Sequence, residues 1–170
     1  MKKLIVLVGA PGLGKSTWAE NYAAMIPGAA KIVSRDKIRF ALVKGNEEYF
    51  SKEKEVFKQY IKEIKKSLKY YDYTIADATH LNLASRTKLL RALGSSLYGV
   101  EVDAVVIQSS IETALKQNEN RLGTRSYVPQ DQIRKMYNQQ TTPSFEEGFN
   151  KIYIYQTDGT GIKYLIFEEE

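Results

Sequence analysis

Apolar and polar positions change period along this chain, and each change marks an element. Leu4 to Val8 is an unbroken, β-branched apolar run, as expected of a strand buried on both faces. Thr17 to Ile26 has the character of a helix stopped by Pro27-Gly28. Ala29 to Val33 predicts a short second strand, and Ser34 caps a helix from Arg35 to Val43, with Gly45 ending it. The clearest helical stripe lies in Glu47 to Lys69. There Val56, Phe57, Tyr60, Ile61, Ile64, Leu68 and Tyr71 recur at spacings of one, three and four. Lys52, Lys54, Lys58, Lys62, Lys65, Lys66 and Lys69 fill the opposite face, either as a solvated surface or as a guide for a nucleic-acid strand.

Tyr73 to Asp77 predicts a third strand ending on a carboxylate, and Asn82 caps a helix reaching Leu93, where Gly94 closes it. Val100 to Ile107 predicts a fourth strand. Ser109 with Glu112 matches a capping box for the helix that carries Glu119, and Pro129 opens another helix at its first position. Lys151 to Tyr155 and Lys163 to Phe167 flank Thr157-Asp158-Gly159 as a hairpin-like end. Strands alternating with helices in this way predict an α/β fold: a parallel sheet with helices on both faces and right-handed crossovers. No repeat, low-complexity tract or linker divides the chain, so residues 1–170 are expected to form one domain.

Composition narrows this picture only slightly. With no cysteine, disulfides and thiolate metal sites are excluded, and a single histidine argues against zinc. The 43% hydrophobic content and mean hydropathy of -0.39 fit a soluble globular protein, and no apolar run is long enough to span a membrane. Met1-Lys2-Lys3 precedes an apolar run too short for a signal peptide, so a cytoplasmic protein is expected. A net charge of +5 leans weakly towards a polyanionic partner.

The chemistry gathers at Gly9-Ala10-Pro11-Gly12-Leu13-Gly14-Lys15-Ser16, followed by Thr17, which fits the phosphate-binding pattern G-x-x-x-x-G-K-[ST]. A strand, a tight turn and a helix in succession aim several backbone N–H groups and the positive helix end at one point, where an anion belongs. ATP is the expected ligand of Gly12, Leu13, Gly14, Lys15, Ser16 and Thr17. Lys15 would lie on the β/γ-phosphates, and the Ser16 hydroxyl would help hold Mg²⁺. No guanine-reading N-K-x-D motif is present, which argues against a GTPase. The Arg121–Arg125 loop fits the lid of a small phosphotransferase.

The phosphate loop and Ser34-Arg35-Asp36-Lys37-Ile38-Arg39 together resemble the 5′-kinase domain of the phage polynucleotide kinase family. The likeness continues through Asp77-Ala78-Thr79-His80-Leu81-Asn82 with Arg86, then Gln117-Asn118-Glu119-Asn120-Arg121 with Arg125. It runs on through Val128-Pro129 to Pro143 and Glu147-Gly148-Phe149, covering nearly the whole chain in order. That family usually carries Asn where this chain has His80, so the family's pattern assigns the histidine no role; it is read as structural rather than catalytic. Many members add a 3′-phosphatase domain. This chain has no D-x-D-x-[TV] motif, so kinase activity alone is expected.

The resemblance implies a P-loop kinase with a short lid, acting on the 5′-hydroxyl end of DNA or RNA. It makes Asp36 the general base for the attacking hydroxyl, and Arg39 the partner of the acceptor's phosphate or the group orienting Asp36. Arg125, with Arg121, would reach from the lid onto the ATP phosphates, and Asp77 would hold Mg²⁺ through water or orient an arginine. Two other readings stay open. One is a small-molecule kinase of the same fold, acting on a nucleoside, gluconate, adenylylsulfate or, in the manner of zeta toxins, a sugar nucleotide. The other is a non-catalytic nucleotide-binding switch.

Overall fold

The structure, a computed structural model, describes residues 1–160 and 163–169. Its centre is β1 (Lys2–Val8), whose alternate side chains feed two separate cores. The other strands are β2 (Ala30–Ser34), β3 (Tyr73–Asp77), β4 (Val100–Gln108), β5 (Lys151–Thr157) and β6 (Lys163–Glu169). They lie in the order β2-β3-β1-β4-β5-β6. Five are parallel, and β6 returns antiparallel along β5 at the edge, with Thr157 opposite Lys163. That pairing is the hairpin expected from the sequence; positions 161 and 162 of its connection lie outside the described residues.

Leu4, Val6 and Val8 point to one side and pack with α3 (Glu53–Tyr70) and α4 (Leu83–Leu93) through Tyr60, Ile64, Leu89 and Leu93. Ile5 and Leu7 point to the other side. There Ala19 of α1 (Lys15–Met25), Ala114 of α5 (Ile111–Glu119) and Ile133 of α6 (Gln130–Gln139) meet them. A parallel sheet buried on both faces needs such continuous apolar strands, and Leu4 to Val8 are all buried. The α/β fold with helices on both faces is the one the sequence pattern predicted.

Three boundaries differ from the sequence reading. The helix expected from Glu47 starts at Glu53, because residues 44–52 form successive turns, with the Glu47 N–H on the Lys44 carbonyl and Ser51 on Glu48. Those turns carry Tyr49 and Phe50, and the two rings stack edge-on against each other. The capping residue of α5 is Ser110 rather than Ser109: its hydroxyl accepts from the Thr113 N–H, while β4 runs on to Gln108. Pro129 stands just outside α6 as its cap.

One buried ion pair ties the far end of the molecule to the sheet. Arg86 on α4 is fully buried and grips Glu147 through Nε at 2.7 Å and Nη2 at 2.9 Å. Its remaining N–H groups reach the carbonyls of His80 and Thr141. Removing one partner of such a pair costs about 3–5 kcal/mol, because the other is left charged and dry.

Candidate active site

The sheet order places β1 between β3 and β4, so the β1–α1 loop opens where the chain's crossovers change side. In open α/β sheets that is where ligands bind, off the C-terminal strand ends. The loop's shape is set by backbone that side chains would obstruct. A Cβ on Gly9 would fall 2.4 Å from the Ile107 carbonyl oxygen, and Gly14 has φ of 79°, in the left-handed region. Lys15 begins α1 directly from this turn, and its buried ammonium donates to the Ala10 carbonyl at 2.7 Å. Burial lowers its pKa to about 8 against the pull of the Asp77 and Asp36 carboxylates.

The Ser16 hydroxyl donates to Asp77 Oδ2 at 2.7 Å, joining the start of α1 to the end of β3. Asp77 is buried, and burial holds its pKa above the usual carboxylate range despite that hydrogen bond and nearby Lys15. A hydroxyl beside a carboxylate with an unmet desolvation cost is an oxygen donor set that fits a hard divalent cation. Among the described residues no cluster of three or more His, Cys, Asp or Glu side chains could hold a metal. Such an ion would therefore take its other ligands from water and phosphate.

Across the cavity stands a second group of residues. Ser34 caps α2 (Arg35–Leu42) by accepting from the Lys37 N–H, which fixes Asp36 in the first turn. Asp36 Oδ1 accepts from Arg39 Nη1 and from the Tyr49 hydroxyl, at 2.9 Å for the latter. Among the described residues its other oxygen has no partner, and the side chain is 54% exposed. Arg39 is buried, with Tyr49 and Phe50 rings 4.6 and 5.5 Å from its guanidinium. Burial works against its charge, but hydrogen bonds to Glu53 hold its pKa above the ordinary value. Burial and the Asp36 charge push the Tyr49 hydroxyl up to about 12, so it remains a donor.

These groups line one open cavity of about 240 Å³, which brings together Gly12, Gly14, Lys15, Ser16, Thr17, Asp36, Arg39, Asp77 and Arg121. Leu13 is buried beneath it in the core. Arg125 lies elsewhere: its guanidinium donates to the Val43 carbonyl at 2.7 Å and rests 4.8 Å from the Phe40 ring. The loop that carries both arginines is closed at its base by Asn118, whose side-chain amide bonds both the N–H and the carbonyl of Val128. No sequence pattern points to Glu53 as the anchor of Arg39, or to Arg35 in the cavity wall. Glu53 sits fourteen residues from Arg39, beyond any local spacing rule.

His80 is buried behind the site. Its φ of 42° is the one positive value among the described non-glycine residues. Nδ1–H donates to the Leu7 carbonyl at 2.6 Å, and Nε2 accepts from the Tyr60 hydroxyl at 3.3 Å, the tautomer that satisfies both. It does not line the cavity.

Comparison with known proteins places this geometry. The family described as "AAA domain" matches residues 4–143. A chain from the Pnkp1/Rnl/Hen1 RNA repair complex is similar at 26% identity and TM-score 0.61, over 81% of this chain and 43% of that one. This chain thus spans less than half the length of that relative. A gluconokinase from Sinorhizobium meliloti 1021 superposes with TM-score 0.61 at 16% identity, covering 92% of this chain and 83% of its own. A fungal RNA kinase superposes with TM-score 0.60 at 9% identity, over 94% and 75%. The last two likenesses show a shared fold alone.

Proposed function

The chain belongs to the AAA-domain family, and on that premise we propose that it transfers the γ-phosphate of ATP to the 5′-hydroxyl end of a polynucleotide. One observation carries the reading. Asp36 lines the same cavity as Lys15, Ser16 and Asp77, with one carboxylate oxygen held by Arg39 and Tyr49 and the other without a partner among the described residues. The tethered oxygen fixes the carboxylate's direction, and the second is available to an incoming hydroxyl.

In the proposed reaction the acceptor oxygen forms a bond to the γ-phosphorus while the bond to the β–γ bridging oxygen breaks. The hydroxyl proton passes to Asp36, and ADP leaves. Transfer through a loose transition state needs placement and charge neutralisation more than a strong base, so a well-placed carboxylate suffices. Lys15 and the loop N–H groups would cradle the phosphates, and Arg121 stands in the cavity wall to meet developing charge. Arg125 would join it once the lid leaves Phe40 and Val43. Mg²⁺ at Ser16 and Asp77 would neutralise charge on the β- and γ-oxygens. Tyr49 and Phe50 give the acceptor side an aromatic wall suited to a nucleobase.

The similarity to the RNA repair complex chain supports the polynucleotide reading, and a small acceptor is the alternative to be tested against it. The deciding experiment offers labelled ATP with a 5′-hydroxyl oligodeoxynucleotide, the matching oligoribonucleotide, gluconate and a panel of nucleosides. Label on the oligonucleotide, lost when its 5′ end is already phosphorylated, is the expected result. Label on gluconate or a nucleoside alone would replace the polymer by a metabolite.

A further inference from the structure

The outer face of α3 carries Lys54, Lys58, Lys62, Lys65, Lys66 and Lys69, separated by four, four, three, one and three residues. At 3.6 residues per turn these positions fall on one arc, opposite the stripe formed by Val56, Tyr60, Ile64 and Leu68. All six are exposed except Lys65, which is half-buried. Of the acidic residues on the helix, only Glu55 shares the arc. Glu53 is committed to Arg35 and Arg39, and Glu63 accepts from the Gln59 amide.

Some cations elsewhere are ion-paired. Lys3 meets Glu101 and Asp103, Lys52 meets Glu47, and Arg86 meets Glu147. Among the described residues none of the six α3 lysines makes an ion pair. Lys54–Lys58, Lys58–Lys62, Lys62–Lys66 and Lys65–Lys69 are like-charged neighbours four apart, an arrangement that weakens a helix by itself. A solvated helix usually mixes signs to avoid this cost. Six lysines against one glutamate on the arc, with no ion pair among the described residues, are what a polyanion would neutralise.

The row's position says which polyanion. Glu53, the first residue of α3, lines the cavity on its acceptor side, and Lys54 is the next residue. From Lys54 to Lys69 the helix rises about 22 Å, at 1.5 Å per residue. Along one strand of stacked nucleic acid that length matches about six phosphates, at 3.4 Å each. We infer that α3 is a backbone track: phosphodiesters beyond the acceptor's first nucleotides leave the cavity past Glu53 and lie along this lysine row. The inference rests on the polynucleotide reading and sharpens it, since it makes a strand of at least about six nucleotides the preferred acceptor and leaves the bases unread.

The test uses Lys58→Gln/Lys62→Gln/Lys66→Gln, which touches no residue placed in the cavity. Binding of 5′-hydroxyl acceptors of two, four, eight and sixteen nucleotides is followed by fluorescence anisotropy across a salt series, with transfer measured separately. The wild type should bind about 10- to 100-fold more tightly as the acceptor grows from two to eight nucleotides, then level off. The triple variant should lose most of that gain while kcat and KM for the dinucleotide stay unchanged. Its slope of log affinity against log salt for the eight-mer should be shallower by about 2, at roughly 0.7 per lost single-strand phosphate contact. An unchanged slope, or an equal loss for two- and eight-nucleotide acceptors, would overturn the track. So would a variant that loses binding to phosphatidylserine vesicles but keeps the eight-mer, because the row would then serve a lipid surface. Length-dependent binding along α3 without any transfer would leave the track standing and remove the kinase reading instead.

Discussion

Glu53 grips Arg39 through two hydrogen bonds, Nε to Oε1 at 2.6 Å and Nη2 to Oε2 at 3.2 Å. The first residue of a long helix therefore fixes the arginine that holds Asp36, three residues before the helix begins to bury side chains at Val56. Glu53→Gln keeps the shape but removes the charge and one acceptor. A hydrogen bond to a charged group contributes about 1.5–3 kcal/mol, so kcat/KM for the oligonucleotide should fall about 10- to 100-fold. Steady-state kinetics measures it, and an unchanged value would mean that Arg39 is held well enough by Asp36 and the two aromatic rings.

A second prediction separates stability from activity at the position proposed to hold the metal. Asp77 is buried with its pKa raised by burial, so its charge costs folding energy in the absence of a cation. Asp77→Asn retains an acceptor for the Ser16 hydroxyl and removes that charge. The urea midpoint should hold or rise, while phosphoryl transfer falls by at least about 10²-fold and no longer responds to added Mg²⁺. A variant with normal Mg²⁺ dependence would take Asp77 out of the metal site.

The lid gives a third. Arg125 is held on the Val43 carbonyl and the Phe40 ring, outside the cavity that Arg121 already lines. If closure carries it onto the phosphates, Arg125→Ala should lower kcat by about 10³-fold, as loss of other phosphoryl-transfer arginines does. A drop below threefold would leave Arg125 as a latch between lid and α2, with Arg121 as the arginine of the reaction.

The sequence exposed those parts of this site that obey local rules. The phosphate loop is contiguous, and its glycines are dictated by backbone that must pass within 2.4 Å of where a Cβ would stand. Asp36 and Arg39 are one helical turn apart, so their contact follows from spacing alone. The strands of the parallel sheet were legible because burial on both faces makes them continuously apolar. What stayed hidden was tertiary. Glu53 meets Arg35 and Arg39 across eighteen and fourteen residues, and Arg86 meets Glu147 across sixty-one. The start of α3 was misplaced because Glu47 to Lys52 has helical composition, yet its turns are fixed by Tyr49 and Phe50 packing on Arg39. Ser109 and Ser110 are equivalent caps by composition, and only the length of β4 chooses between them.

His80 supplies a prediction in pH. Burial, opposed by the bond to the Leu7 carbonyl, lowers its pKa to about 4 from the ordinary 6.5. The folded protein thus keeps a neutral imidazole where the unfolded chain would be protonated. The stability this contributes is complete above pH 6.5 and is lost as pH falls towards 4, up to about 3 kcal/mol in all. His80→Asn removes the titration and suits the φ of 42°, which asparagine tolerates better than most residues. Urea unfolding of both proteins between pH 7 and pH 4.5 should show the stability gap narrowing as the pH falls. A constant gap across that range would show that His80 remains protonated when folded or does not titrate in the unfolded chain.

Asp36→Asn should fail in chemistry more than in binding. Asp36 opens α2 opposite the phosphate loop, and its Oδ1 is already taken by Arg39 and Tyr49. An asparagine in that rotamer can keep its carbonyl oxygen on those two donors, so the cavity wall should hold its shape. The group then facing an acceptor would be an NH₂, which cannot take a proton from a hydroxyl. Removing a negative charge also eases the approach of an anionic strand, so acceptor affinity should hold or improve. The expected signature is a large loss in kcat with little rise in KM, as for an interaction made chiefly in the transition state. If Asp36 served only to anchor Arg39, the same change would mostly raise the acceptor KM and spare kcat. Kinetics on a 5′-hydroxyl oligonucleotide distinguishes these outcomes, and an intact kcat would end the general-base assignment.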